Sequence, residues 1–316
     1  MAIRNLVFQG GGVRVLAYAG AVDVLASRGH LAGVRSVAGT SAGSMTACFL
    51  AVGAGAKEFE EGARSTRFGR FLDGKWGLLG EAWRLVARQG LHPAHSFGEI
   101  IREQIARICG DGDLTFAGLE QRRRAAPERY RQLFVVASDL VRQTPVVFSA
   151  KRHGDLPIWR AVRMSVSIPF VFEPVRHDSG VYVDGGLSWD YPIDLYDHPD
   201  PADARPGAGM PRSQETLGFC LGTRAENRAS RDDWSSPPQR TRPLLAFIAA
   251  TAHFLTNTAN RAHVNEADLP RTVFIDDDGV AATDFDLPTE VIDRLISNGR
   301  RDTARYFDEV FEPAGR

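Results

Sequence analysis

Residues 34–52 read VRSVAGTSAGSMTACFLAV, and this stretch decides the fold. Residues 34–38 predict a short strand, and residues 44–52 are mostly apolar over a length typical of a buried helix. Between them stands Gly39-Thr40-Ser41-Ala42-Gly43, a Gly-x-Ser-x-Gly sequence. A turn this sharp between a strand and a helix needs small residues two positions before and after the serine. An ordinary glycine-rich turn could have the same sequence. The position of this one between a strand and a helix favours a turn that exposes the serine hydroxyl.

The residues before this stretch repeat the same alternation. Residues 3–8 predict a short buried strand, and Gly10-Gly11-Gly12 interrupts it. Residues 13–27 carry apolar side chains at helical spacing, and Arg28-Gly29 predicts the end of that helix. Two strand–helix units within about 55 residues are typical of a parallel sheet covered by helices.

The rest of the chain continues as mixed α/β. Residues 132–138, 145–150, 180–184, 216–221 and 272–275 predict strands, and residues 96–108, 156–167, 244–260 and 288 onward predict helices. We find no internal repeat and no composition change that would mark a boundary. The sequence therefore predicts one domain over residues 1–316.

Two segments do not follow this alternation. Residues 53–100 mix glycines with aromatic side chains, which predicts either a cap or lid over a site or a surface excursion that buries its own aromatics; the aromatics are Phe59, Phe68, Phe71, Trp76 and Trp83. Residues 222–243 are polar and contain a Ser-Ser-Pro-Pro run, which predicts a mobile segment.

Composition excludes several classes of protein. The formal net charge of −1 gives no general attraction to nucleic acid or to anionic membranes. Three cysteines, Cys48, Cys109 and Cys220, have no metal-ligand spacing, which argues against a disulfide framework and a zinc site. No secretory signal and no apolar stretch of membrane-spanning length is visible. We expect a cytoplasmic protein with peripheral membrane contact; the sequence leaves open export that needs no signal peptide.

The glycine run at residues 10–12 has two interpretations. Consecutive glycines let backbone N–H groups converge on one point, which suits a phosphate or an oxyanion. A dinucleotide-binding fingerprint would need glycine at position 15, where this chain has Val15, and an acidic residue after the second strand, where it has the Ser41 turn. The oxyanion interpretation accommodates both the glycine run and the serine.

The serine needs a base. Asp184 ends a predicted strand and is followed by Gly185-Gly186, although a plain Asp-Gly turn would look similar. The usual α/β-hydrolase order requires a late histidine, and His253 and His263 are the candidates. That fold also requires several strands before its nucleophile, whereas one precedes Ser41. A Ser-Asp dyad needs no histidine, because a partly buried aspartate with a raised pKa can accept the serine proton directly.

Together these residues resemble the patatin-like phospholipase family. That family has a glycine-rich loop ending in Arg/Lys-Gly, a Gly-x-Ser-x-Gly turn and a distal Asp-Gly-Gly/Ala, and this chain has the three in the same order. Supporting similarities lie in residues 137–140, 147–149, 165–169, 191–192 and 283–287. The resemblance implies an α/β/α three-layer fold with a central, mostly parallel sheet. One departure is Val15, which stands where the family has glycine.

The resemblance implies hydrolysis of fatty acyl esters in phospholipids or related glycerolipids through an acyl-enzyme. Ser41 would be the nucleophile and Asp184 the base. The oxyanion hole would comprise Gly11, Gly12 and Val13, with Arg14 orienting that loop or approaching a phosphate.

No metal or organic cofactor is implied. Three alternatives stay open: an acyltransferase with an acceptor other than water, a member that acts only after a protein or small-molecule activator binds, and an inactive lipid-binding member. We expect Val15 to cost little if the family glycine mainly permits close helix packing.

Overall fold

The computed structural model describes residues 2–65, 87–222 and 266–312, together with Phe247, Ala250, Thr251 and Phe254. Its strands are β1 (Asn5–Phe8), β2 (Ser36–Thr40), β3 (Gly90–His92), β4 (Gln132–Asp139), β5 (Thr144–Phe148), β6 (Phe170–Phe172), β7 (Val175–His177), β8 (Gly180–Asp184), β9 (Thr216–Gly222) and β10 (Thr272–Asp276). Its α-helices are α1 (Ala17–Ser27), α2 (Ala42–Ala51), α3 (Ala56–Ser65), α4 (His95–Cys109), α5 (Phe116–Ala125), α6 (Ile158–Ser165), α7 (Gly186–Trp189) and α8 (Thr289–Tyr306).

The predicted elements differ from these mainly at their ends. The helix predicted over residues 13–27 is a 3₁₀ turn, Gly12–Leu16, that continues into α1. The helix predicted from residue 156 begins at Ile158, because Pro157 precedes it in an extended conformation. Helix α5 was not predicted; its N-cap is Thr115, whose side chain accepts a hydrogen bond from the N–H of Gly118.

The central sheet is mixed but mostly parallel, as predicted. Its strand order is β10-β9-β1-β2-β4-β8-β7, with β5 also paired to β4. The ladders from β10 to β4 are parallel, whereas β8, β7 and β5 are antiparallel to their neighbours. Strands β3 and β6 form a separate parallel pair. The two strands that precede the glycine run and the serine, β1 and β2, are therefore direct neighbours.

Alternate residues of the central strands enter two different cores. On β1, Leu6 packs into the larger core and Val7 into the smaller one. The larger core is formed with α1, α2, α4 and α6, and the smaller one with residues 186–204, which include Trp189 and Tyr191. Because successive strand residues point to opposite faces, a strand with both faces covered is apolar at consecutive positions, as β1 is from Leu6 to Phe8.

Several predictions concern residues outside the described ranges. Of the aromatic side chains in the segment 53–100, Phe59 is buried in the larger core, while Phe68, Phe71, Trp76 and Trp83 lie outside the described residues. The mobile segment predicted after Gly222 lies outside them too, and so does nearly all of the helix predicted over residues 244–260. Within the described ranges, no helix combines the length and the apolarity needed to cross a membrane.

Candidate active site

The register of the sheet explains why Ser41 and Asp184 meet. Thr40 pairs with Val136 in the parallel β2–β4 ladder, which puts the next residue, Ser41, level with Ala137. Ala137 pairs with Asp184 in the antiparallel β4–β8 ladder. Strand β4 thus lies between the two side chains and sets their level, although they are far apart in sequence.

A direct hydrogen bond joins the two side chains. The Oγ of Ser41 donates to Oδ2 of Asp184 at 2.6 Å, and both residues are buried. The other carboxylate oxygen, Oδ1, accepts the N–H of Gly186 at 2.8 Å. Burial raises the pKa of Asp184 to about 7, against the lowering effect of these two hydrogen bonds. A carboxylate with this pKa is a competent proton acceptor near neutral pH.

Ser41 has a backbone conformation that few residues other than glycine adopt. Its φ is 51° and its ψ is −133°, directly before the first residue of α2. A Cβ on Gly39 would lie 2.3 Å from the carbonyl oxygen of Gly43, and a Cβ on Gly43 would lie 2.4 Å from that of Gln9. Glycine at both positions therefore permits the turn, and the strained serine is held by the packing around it.

A second serine, which the sequence did not single out as a site residue, supports this turn. The Oγ of Ser165 accepts the N–H of Ser41 at 2.8 Å and donates to the carbonyl oxygen of Val136 at 2.5 Å. Ser165 is the last residue of α6 and is fully buried. A sequence signal existed, because residues 165–169 belong to the family-like stretches, but nothing in it indicated a contact with Ser41.

The segment after α6 also holds the aspartate. The carbonyl oxygen of Ser167 accepts the N–H of Asp184 at 2.9 Å, and that of Ser165 accepts the N–H of Gly185 at 3.2 Å. On the other side, the Oγ of Ser138 donates to the carbonyl oxygen of Asp184 at 2.9 Å. The backbone of Asp184 is thereby fixed by three groups, which leaves its side chain directed at Ser41.

The glycine run lies against the serine. A Cβ on Gly10 would be 3.0 Å from the Cβ of Ser41 and 2.3 Å from Oδ1 of Asp190. Gly12 has a φ of 57°, and a Cβ there would be 1.9 Å from the carbonyl oxygen of Ala282. Within the described residues, the N–H groups of Gly11 and Gly12 have no hydrogen-bond acceptor.

The other two residues named for the predicted oxyanion hole, Val13 and Arg14, have hydrogen-bond partners within the protein. The N–H of Val13, predicted to be a donor to the oxyanion, instead donates to the carbonyl oxygen of Ala282 at 3.0 Å, because the glycine run packs against that segment. The Nε of Arg14 donates to the carbonyl oxygen of Gly11 at 3.1 Å, and its Nη1 lies 2.7 Å from Oδ2 of Asp277. Arg14 thus holds the loop in place, and its charge is paired with a buried carboxylate.

Asp190 is a second carboxylate near the dyad that the sequence did not indicate. Its Oδ2 accepts the Nε2–H of Gln9 at 2.9 Å, and its carbonyl oxygen accepts the N–H of Gly10 at 3.2 Å. Asp190 also adds to the raised pKa of Asp184, since a nearby like charge disfavours ionisation. Asp190 directly follows α7 and therefore connects the end of that helix to the start of the glycine run.

The histidine alternative has no support among the described residues, where the side-chain hydrogen bonds of Ser41 and Asp184 involve no imidazole. His253 and His263 lie outside the described ranges. Within those ranges, no group of three His, Cys, Asp or Glu side chains is arranged to hold a metal ion.

Comparisons with known proteins agree with this fold. The Patatin-like phospholipase family matches residues 6–196, which contain the glycine run, Ser41 and Asp184. The uncharacterized protein YqhO of Bacillus subtilis is 29% identical over 321 residues, covering 96% of this chain and 97% of YqhO.

Two solved structures share the fold at low sequence identity. VipD from Legionella pneumophila has a TM-score of 0.62 at 18% identity, covering 98% of this chain and 67% of VipD. The type III effector protein ExoU, from Pseudomonas aeruginosa, has a TM-score of 0.57 at 18% identity, covering 99% of this chain and 54% of ExoU. The family match spans more than half of the 316 residues and confirms the resemblance drawn from the motifs. The chain therefore belongs to the patatin-like phospholipase family of lipid ester hydrolases.

Proposed function

We propose that this protein hydrolyses fatty acyl esters of phospholipids or related glycerolipids, with Ser41 as nucleophile and Asp184 as the base. The observation that carries the proposal is the 2.6 Å hydrogen bond from Ser41 Oγ to Asp184 Oδ2. The acceptor is a buried carboxyl group whose pKa is raised to about 7, so near neutral pH it is ionised in part of the molecules and can take up a proton.

The first half of the reaction forms an acyl-enzyme. Ser41 Oγ attacks the ester carbonyl carbon while its proton passes to Oδ2 of Asp184. The carbonyl oxygen becomes an oxyanion that the N–H groups of Gly11 and Gly12 stabilise, a contribution of about 2.7–4 kcal/mol per donor in comparable sites. Cleavage of the carbon–oxygen bond releases the lipid alcohol, which takes the proton from Asp184 and leaves the acyl group on Ser41.

The second half reverses these roles with water. Asp184 accepts a proton from a water molecule as that water attacks the acyl-enzyme carbonyl. The same amides stabilise the second oxyanion, and its collapse releases the fatty acid and returns the proton to Ser41 Oγ. Two residues therefore suffice for both proton transfers.

Release of free fatty acid from vesicles tests this proposal. The substrates are phosphatidylcholine, phosphatidylethanolamine, phosphatidylglycerol, lysophosphatidylcholine and triacylglycerol, each with wild type, Ser41→Ala and Asp184→Asn. Release by wild type that both substitutions abolish is the expected result, and it identifies the preferred lipid. Release that survives Ser41→Ala would rule out this nucleophile.

The acyl-enzyme and the membrane contact need separate measurements. With a p-nitrophenyl ester, acid quenching followed by intact-mass analysis is expected to reveal one acyl group on wild type and none on Ser41→Ala. Peripheral membrane contact predicts that the protein co-sediments with vesicles of its preferred lipid. Transfer of the acyl group to an added alcohol at the expense of fatty acid would identify an acyltransferase instead.

A further inference from the structure

An apolar crevice lies beside α2, outside the residues that carry out the proposed proton transfers. It holds about 520 Å³ of atom-free space, its open mouth included. Its apolar lining includes Val15 of the 3₁₀ turn, Met45 and Phe49 of α2 and Phe59 of α3. Apolar side chains favour the binding of a hydrocarbon chain, because binding removes apolar surface from water. They have no group that could form a hydrogen bond or an ion pair with a charged headgroup.

Along α2, the residues that line the crevice follow Ser41. Ser41 directly precedes α2, and Met45 and Phe49 follow at one and two helical turns. The glycine run passes along the same side: Gly10 approaches the Cβ of Ser41, and Val15 faces the crevice together with Met45. An acyl chain whose carbonyl carbon is at Ser41 Oγ thus meets this apolar surface within one turn of α2.

The distance along α2 from the nucleophile to the far end of the crevice fits a hydrocarbon chain. Eight residues of α-helix, from Ser41 to Phe49, span about 12 Å. An extended chain advances roughly 1.2 Å per bond, so about ten carbons cover that distance. The charged groups of the lining, Glu58 and Arg107, come from α3 and α4, whereas the polar group that α2 contributes is the uncharged hydroxyl of Thr46.

We propose that this crevice binds the fatty acyl chain of the ester, and that Val15 is a specificity-determining residue in its wall. The proposal rests on the acyl hydrolase function proposed above. Val15 is the position at which this chain departs from the family glycine, and it is 7% exposed. Its isopropyl group takes up space that a glycine would leave to the chain, so Val15 limits the length or bulk of the acyl group.

A substitution in α3, which also lines the crevice, tests whether the acyl chain occupies this space. Gly62 of α3 lines the crevice, and a Cβ at this position would lie 3.5 Å from Nη2 of Arg107, an ordinary contact. Gly62→Leu therefore fits without a backbone clash and fills part of the crevice. Gly55, which is exposed just before α3 and does not line the crevice, gives the matched control Gly55→Leu.

The first experiment compares kcat/KM on p-nitrophenyl butanoate, octanoate and dodecanoate. Each methylene that enters the crevice favours binding about fourfold. Gly62→Leu is expected to lower the dodecanoate-to-butanoate ratio at least about tenfold. Val15→Gly is expected to raise that ratio, and Gly55→Leu to leave it as in wild type. The same ratio in all four proteins would overturn the proposal. An equal gain on every ester in Val15→Gly would assign Val15 to the oxyanion loop instead.

A binding measurement separates this proposal from the catalytic one. Decanoic acid is titrated calorimetrically into Ser41→Ala protein, alone and combined with Gly62→Leu or Gly55→Leu. Binding that Gly62→Leu weakens at least about tenfold and Gly55→Leu does not is the expected result, whether or not the wild type turns over esters. Absence of turnover with this binding pattern would refute the hydrolase function alone. Binding insensitive to Gly62→Leu would refute the acyl crevice.

Discussion

The backbone N–H of Ser41 donates a hydrogen bond to the Oγ of Ser165 at 2.8 Å, across 124 positions of sequence. The same Oγ donates to the carbonyl oxygen of Val136, so one buried hydroxyl connects the serine turn with β4. Ser41 has a positive φ, a conformation that persists only where the surroundings impose it. We infer that Ser165 is a positioning residue for the nucleophile.

Ser165→Ala is expected to lower the free energy of unfolding by about 1–3 kcal/mol, because the buried N–H of Ser41 loses its acceptor. Turnover is expected to fall at least about tenfold, since the Ser41 Oγ loses its fixed position. Urea unfolding and kcat on a soluble ester measure the two effects.

Ser149→Ala is the matched control for that substitution. The Oγ of Ser149 is buried and has no hydrogen-bond partner among the described residues. Its removal is expected to change the free energy of unfolding by less than about 1 kcal/mol and to leave turnover intact. Equal effects of the two substitutions would mean that Ser165 has no special connection with Ser41.

The activity is expected to rise with pH through the pKa of Asp184. Burial raises that pKa to about 7, and the base must be ionised to accept the proton of Ser41. Below pH 7, kcat/KM is therefore expected to fall about tenfold per pH unit, and above pH 7 it reaches a plateau until other groups titrate. A plateau that extends unchanged down to about pH 5 would contradict the raised pKa.

Asp184→Asn is expected to abolish turnover and yet to stabilise the fold at alkaline pH. The carboxyl group has a higher pKa when folded, so between about pH 4 and pH 7 the folded state binds more protons than the unfolded state. The stability of wild type relative to the variant consequently falls as the pH rises through this window, by on the order of 4 kcal/mol over the whole window, and is constant above it. Urea unfolding of both proteins at pH 5 and pH 8 measures the change; no change between the two pH values would contradict it.

Gly12→Ala is expected to remove at least about 99% of the activity, because loss of an oxyanion donor costs about 10²–10³ in turnover. Its Cβ would lie 1.9 Å from the carbonyl oxygen of Ala282, which forces the loop to move. Gly29→Ala is the control: Gly29 has a φ of 78° but no atom within 4 Å of the added Cβ. Both alanines carry the backbone strain of about 1–2 kcal/mol. Similar activity of the two variants would indicate that the clash with residue 282 is irrelevant to catalysis.

The ion pair of Arg14 with Asp277 is expected to support the glycine loop. The side chain of Asp277 is 1% exposed, so Arg14→Met leaves a buried carboxylate and is expected to cost roughly 3 kcal/mol. Asp277→Asn is expected to cost less, and adding it to Arg14→Met should recover part of the loss. Thermal unfolding of the four proteins gives the coupling energy, and a coupling near zero would argue that the contact does not hold the loop.

Local patterns in the sequence were enough for the strand–turn–helix at residues 36–51 and for the mostly parallel sheet. Apolar periodicity and glycine spacing are determined by neighbouring residues, and the same is true of the steric need for Gly39. The need for Gly43 also has a tertiary cause, since a Cβ there would meet the carbonyl oxygen of Gln9. The predicted ends of the elements were less accurate: α6 begins later than predicted because Pro157 precedes it. Helix α5 was not predicted, because its apolar pattern is weak.

The sequence by itself determined the family, the fold class and the identity of the candidate nucleophile and base, because these depend on short motifs in a fixed order. The tertiary structure decided the contacts between distant segments. Only the registers of β2, β4 and β8 bring Asp184 to Ser41, and only the packing of residue 282 on the glycine loop takes the N–H of Val13. Such contacts depend on how segments far apart in the sequence pack together, and no local pattern encodes that packing.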